Sequence, residues 1–129
     1  MKPSLALAAL VLPLCACANE AETTPQARAP AVEVLGEPVD CVNTSRIRNT
    51  VVHDDYTIDF NLTGGDIYRN TLPNRCPQLG FEERFAYEAN TGQLCSIDTI
   101  AVIQGNVGQG PRCGLGKFVP VRYAEAAAN

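Results

Sequence analysis

Tyr56-Thr57-Ile58-Asp59-Phe60-Asn61-Leu62-Thr63 alternates apolar and polar residues without a break. That period of two belongs to a β-strand and not to a helix, whose apolar residues recur every three or four. It predicts Tyr56, Ile58, Phe60 and Leu62 in a core and Thr57, Asp59, Asn61 and Thr63 facing water. The flanks are turns. His53-Asp54-Asp55 precedes the strand, and Thr63-Gly64-Gly65-Asp66 follows it with paired glycines that supply the positive φ of a tight hairpin. Arg46 to Val52 and Ile67 to Leu72 then read as the two neighbouring strands of a meander.

Further along, Arg84 to Glu88 with Phe85 and Tyr87 inward, a turn at Asn90-Thr91-Gly92, and Leu94 to Ile103 make a second hairpin. Parity changes within its second strand: Cys95 and Ile97 share one register, Ile100 and Val102 the other. A bulge near Asp98-Thr99 restores one buried face. Lys117 to Tyr123 is a sixth strand, placed at an edge because Pro120 has no N–H to give a ladder. No segment shows convincing helical periodicity. The expected fold is all-β, a small disulfide-stapled antiparallel barrel or sandwich of about six strands.

The N-terminus is of another kind. Met1-Lys2-Pro3-Ser4 carries one positive side chain before the apolar run Leu5 to Leu12. That run is too short for a bilayer, which needs roughly 20 apolar residues, and fits a secretory signal. Leu14-Cys15-Ala16-Cys17 resembles the bacterial lipoprotein signal, in which a leucine, a variable residue and a small residue precede the cysteine that takes the lipid. The resemblance implies cleavage after Ala16 and lipid on Cys17. Cys15 is not the acceptor, because Leu14 before it is not small. Ala18 lacks the aspartate associated with inner-membrane retention, which implies the outer membrane, facing the periplasm. The alternative is cleavage after Ala18 in Ala16-Cys17-Ala18, releasing a soluble periplasmic or secreted protein.

Three segments are therefore expected: signal peptide 1–16, lipid-anchored disordered tether 17–40 and β domain 41–129. The tether has Pro25, Pro30 and Pro38, five acids against Arg28, and no apolar period. A flexible chain of that length reaches on the order of 25 Å. From Cys41 onward acids and bases nearly balance, and no Lys/Arg cluster supports a nucleic-acid partner.

Cys41, Cys76, Cys95 and Cys113 remain in the domain, and export to an oxidising compartment predicts two disulfides. Four cysteines allow three connectivities. The meander carries Cys41 and Cys76 to opposite ends of its sheet, while the second hairpin brings Cys76 and Cys113 to one end. The expected pairs are Cys41–Cys95 and Cys76–Cys113. Cys15 and Cys17 have no partners to complete a zinc site.

Chemistry-bearing candidates are few. His53, the only histidine, stands beside two aspartates, but no G-x-S-x-G elbow accompanies it, and a serine partner would have to be Ser45 or Ser96. It reads as a polar hairpin turn. Asp54, Asp55, Asp59 and Asp66 lack calcium-loop spacing. Gly105-Asn106-Val107-Gly108-Gln109-Gly110-Pro111 is not a phosphate loop, since Phe118 follows Gly116-Lys117 where Ser or Thr is needed; it reads as a mobile connection. No catalytic residue, metal site or cofactor is assigned.

Arg46-Ile47-Arg48, Asp54-Asp55-Tyr56-Thr57-Ile58, Tyr68-Arg69-Asn70-Thr71-Leu72-Pro73, Arg75-Cys76-Pro77, Leu94-Cys95 with Asp98-Thr99-Ile100, and Cys113-Gly114-Leu115-Gly116-Lys117-Phe118 together resemble an uncharacterised family of small exported proteobacterial proteins. The resemblance covers Cys41 to Val121 and implies address and cysteine framework, with no assigned activity. The expected function is a non-enzymatic cell-envelope lipoprotein, a binding or structural module held to the membrane by its lipid and partnered with an envelope protein. The alternative is a periplasmic inhibitor of a secreted hydrolase such as lysozyme or a protease. A hydrolase using His53 ranks last.

Overall fold

The structure is a computed structural model that describes residues 29–89 and 91–125, together with Pro3. The meander forms as its sequence predicts. Ile47–Val52 (here β3), Thr57–Leu62 (β4) and Ile67–Thr71 (β5) pair antiparallel in succession. Gly64 and Gly65 both take φ of 91° at the β4–β5 turn, which a residue with a Cβ rarely adopts. On the inner face, Ile58, Phe60 and Leu62 are buried as expected.

Three expectations about the other strands need correction. First, Phe118–Tyr123 (β10) is not an edge strand. It lies between β5 and Val32–Val34 (β1), giving the sheet order β1-β10-β5-β4-β3. Pro120 is tolerated there because its missing N–H faces β1 where that strand's pairing ends at Val34, while its carbonyl accepts from the Leu35 N–H at 2.8 Å. Second, the tether expected over 17–40 is structured on its C-terminal side. β1 pairs with β10, and Val39 forms a bridge with Phe118, so part of it belongs to the sheet. The signal peptide 1–16, apart from Pro3, and residues 17–28 lie outside the described residues.

Third, Leu94 to Ile103 is not one bulged strand. Gln93–Cys95 (β7) pairs with Cys41–Asn43 (β2) in a two-stranded ribbon, whereas Thr99–Gln104 (β8) pairs with Phe85–Tyr87 (β6) and Gly108–Gly114 (β9). A tight turn at Ser96-Ile97 separates them. It is closed by the Asp98 N–H donating to the Cys95 carbonyl at 2.9 Å and by Asp98 Oδ2 accepting from the Cys95 N–H at 2.7 Å. The parity change read from the sequence is thus a change of sheet. The glycine-rich stretch is likewise β9 and its hairpin turn, not a mobile connection.

Ten strands among the described residues form three antiparallel sheets that close no barrel, with one short helix, Leu79–Glu82 (α1). One core serves all three sheets. Val42 from β2, Ile58, Phe60 and Leu62 from β4, Leu94 from β7, Ile100 and Val102 from β8 and Phe118 from β10 belong to the same buried cluster. Phe60 packs edge-on against Phe118 and Phe85, with centroids 5.3 and 6.2 Å apart. Each fully buried aromatic or branched side chain contributes roughly 1.5–3 kcal/mol. The architecture is an all-β sandwich. Asn70, fully buried on β5, holds the approach to β10: its amide donates to the Gly116 carbonyl at 2.7 Å and accepts from the Gly116 N–H at 2.8 Å. A Cβ at Gly116 would collide with the Thr71 carbonyl, which is why glycine stands there.

Both disulfides are present as Cys41–Cys95 and Cys76–Cys113. Cys41 and Cys95 are direct register partners in the β2–β7 ribbon. Cys76 is fully buried and ties the segment after β5 to β9.

Candidate functional site

The face of the five-stranded sheet turned away from the core carries the unexpected chemistry. Thr57 and Asp59, expected in water, are 5% and 0% exposed, while Tyr56, expected inside, is 43% exposed and lies before the strand begins. Asp59 sits between Val51 on β3 and Arg69 on β5 in register. The Arg69 guanidinium grips it with two parallel bonds, Nε to Oδ1 at 2.8 Å and Nη2 to Oδ2 at 2.9 Å. His53 at the end of β3 brings Nε2 to 2.7 Å from Oδ2, and the Tyr123 hydroxyl donates to the same oxygen at 2.9 Å. β5 lies between β4 and β10, so Tyr123 reaches Asp59 across the face of the sheet. The third arm of Arg69 donates from Nη1 to the Pro30 carbonyl at 2.8 Å, fastening the chain that leads into β1.

The electrostatics follow from this packing. Burial would raise the Asp59 pKa, but the hydrogen bonds from Arg69, His53 and Tyr123, with the Arg69 charge, more than offset it and hold the carboxyl below its ordinary value. Asp59 in turn raises Arg69. Burial, then the bond to Asp59, pushes the Tyr123 phenol up to about 12. An ionised carboxylate only accepts, so His53 Nε2 carries a proton. The acceptor capacity of Asp59 is largely committed to these four bonds. The cluster is therefore a cross-link joining β3, β4, β5, β10 and the lead into β1.

The other candidates are dispersed. Ser45 Oγ donates to Asn43 Oδ1 at 2.7 Å, and Ser96 Oγ to Asp40 Oδ1 at 3.4 Å; neither bonds His53. Asp54 Oδ1 accepts from the Tyr56 N–H at 2.8 Å, closing the turn, while its Oδ2 is buried without a hydrogen-bond partner among the described residues. Asp55 accepts from the Gly80 N–H at 2.8 Å and from Arg75 at 2.9 Å, clamping α1 to the hairpin. Asp66 pairs with Arg46 at 2.9 Å. Among the described residues no three metal-ligating side chains converge. Cys17 lies outside them.

Beside the cluster is an open cleft of about 580 Å³, lined by Arg48, Asn49, Asn61, Leu62, Gly65, Asp66 and Ile67 at the β4–β5 end of the sheet. Asn61 follows Asp59 by two residues, so both stand on one face.

A family model for a family of unknown function, DUF6491, matches residues 1–128. The chain belongs to DUF6491. Neither the curated proteins nor the solved structures contain a match to it. The DUF6491 match thus spans both the β sandwich and the N-terminal segment. Sequence reading missed the Asp59 cluster because period-two alternation assigns every second residue to solvent. The available signal was an aspartate, the one charged residue of β4, with Arg69 in the strand on one side and His53 just past the end of the strand on the other.

Proposed function

We propose that this DUF6491 protein is an exported, lipid-anchored, non-catalytic binding module of the cell envelope. The observation that carries the reading is a contrast on one sheet face. The groups with catalytic potential, His53 and Asp59, are tied to each other and to Arg69 and Tyr123, whereas the adjoining cleft presents Arg48, Asn49 and Asn61, whose side chains have no partner among the described residues. A rigid base beside uncommitted polar groups suits recognition. Two disulfides agree with an oxidising compartment. No helix among the described residues is long and apolar enough to cross a membrane. The reading assigns attachment to Cys17 from the lipoprotein-type signal Leu14-Cys15-Ala16-Cys17. In the native host, the protein is expected to fractionate with membranes and to carry the added mass of acyl chains. Cys17→Ser is expected to release it without that mass. Unchanged fractionation and unchanged mass would remove the anchor.

A second reading, inhibition of a secreted hydrolase, is favoured by the β8–β9 hairpin. Val107 at its tip is 81% exposed between Gly105 and Gly108, a shape that can enter a cleft. On this reading the protein slows a lysozyme or a serine protease at micromolar concentration, and Val107→Asp abolishes the effect. Full enzyme activity in its presence sinks the reading.

A further inference from the structure

In the cleft Asp66 is committed to Arg46, but Arg48, Asn49 and Asn61 leave hydrogen-bonding capacity unspent. Asn49 on β3 and Asn61 on β4 are register partners, so their Cβ atoms stand about 5 Å apart on one face. Asn61 is in turn paired with Ile67 on β5. Neither amide bonds to another described residue, and Arg48, like Arg112, makes no ion pair with one, whereas Arg46, Arg69, Arg75, Arg84 and Arg122 do.

We infer that this cleft binds an N-acetylated amino sugar that carries a carboxylate. Each asparagine offers one carbonyl acceptor and two N–H donors. The adjacent pair matches the N–H and C=O of an acetamide together with neighbouring ring hydroxyls. The Arg48 fork matches a carboxylate through two parallel bonds. The half-buried Ile67 gives an apolar surface to the acetamide methyl and the C–H face of a ring. The volume lies within the range of small-ligand sites. The inference rests on the proposed function for its envelope setting, where the wall's N-acetylmuramic acid carries both groups once its stem peptide is removed.

Isothermal titration of the full-length exported protein in detergent, with three probes, tests it. N-acetylmuramic acid carries the acetamide and a carboxylate on one wall sugar, N-acetylneuraminic acid carries both in a sugar foreign to the wall, and chitotriose carries the acetamide alone. At least one of the two acids is expected to saturate the site at least about tenfold more tightly than chitotriose, as one charge-assisted contact implies. Preference for N-acetylmuramic acid places the ligand in the wall; preference for the other acid places it in an external glycan. Arg48→Gln is expected to erase the advantage of the acid, and Asn49→Ala to weaken all probes alike. Both residues are exposed, and an unchanged melting temperature shows that the variants are folded. Absence of saturable binding by either acid, no advantage over chitotriose, or indifference to Arg48→Gln overturns the inference. Membrane release by Cys17→Ser without sugar binding refutes the cleft alone, whereas sugar binding with unchanged fractionation refutes the anchor alone.

Discussion

Reduction of both disulfides is expected to lower the melting temperature of the domain by well over ten degrees. The bridged residues are 54 and 37 positions apart in sequence, and closing loops of that length constrains the unfolded chain by about 4 kcal/mol each. A domain of this size shifts by about 4–8 °C per kcal/mol. The loops overlap, so the two contributions do not simply add, but one alone suffices for a shift of this size. The bridges also differ in exposure. Cys76 is fully buried, while Cys41 and Cys95 are half-buried in a ribbon of three residues per strand with no third strand beside it. A two-stranded ribbon is marginal in isolation. Graded reduction followed by alkylation and mass spectrometry should therefore label Cys41 and Cys95 before Cys76 and Cys113. Melting followed by circular dichroism with and without reductant measures the full effect, and a reduced protein melting within a few degrees of the oxidised one would contradict the account.

Asp59→Ala is the most damaging single substitution expected on the outer face. It leaves the Arg69 guanidinium, whose side chain is 13% exposed, without its counter-charge, and removes the acceptor used by His53 and Tyr123. Breaking a buried pair by deleting one partner costs about 3–5 kcal/mol, and the melting temperature should fall by at least about 12 °C. The cost lies in the orphaned charge more than in any net value of the pair. Asp59→Leu combined with Arg69→Met should therefore recover much of the loss. A double variant no more stable than Asp59→Ala would point instead to the geometry of the cross-link.

The same cluster sets the acid limit of the fold. Asp59 is held below its ordinary pKa in the folded chain, so its ionisation contributes stability that is present above the unfolded value near 4. That stability is lost as pH falls below this value towards the depressed native one. Melting curves through the acid range should decline steeply for the native protein and less so for the Asp59→Leu, Arg69→Met variant, which has no such proton to take up.

The sequence by itself determined what is local. Alternation in Thr57 to Leu62 identified β4 and its inner face, Gly64-Gly65 identified the hairpin, and the meander together with the second hairpin pointed to the pairing of the four cysteines. Each of these depends on contacts between neighbours in the chain or on the ends of adjacent strands. The tertiary structure alone decided what is remote. β10 takes the place between β1 and β5, and that puts Tyr123 within reach of Asp59. Alternation states which residues share a face. It does not state whether that face is then covered, and Arg69, His53 and Tyr123 cover Asp59 from three other strands or strand ends. For the same reason the parity change at Asp98 could be read as a bulge or as a passage between sheets, because both reverse the face of a strand. Only the pairing of β7 with β2 and of β8 with β6 and β9, set by a common core of Leu94, Ile100 and Val102, separates them.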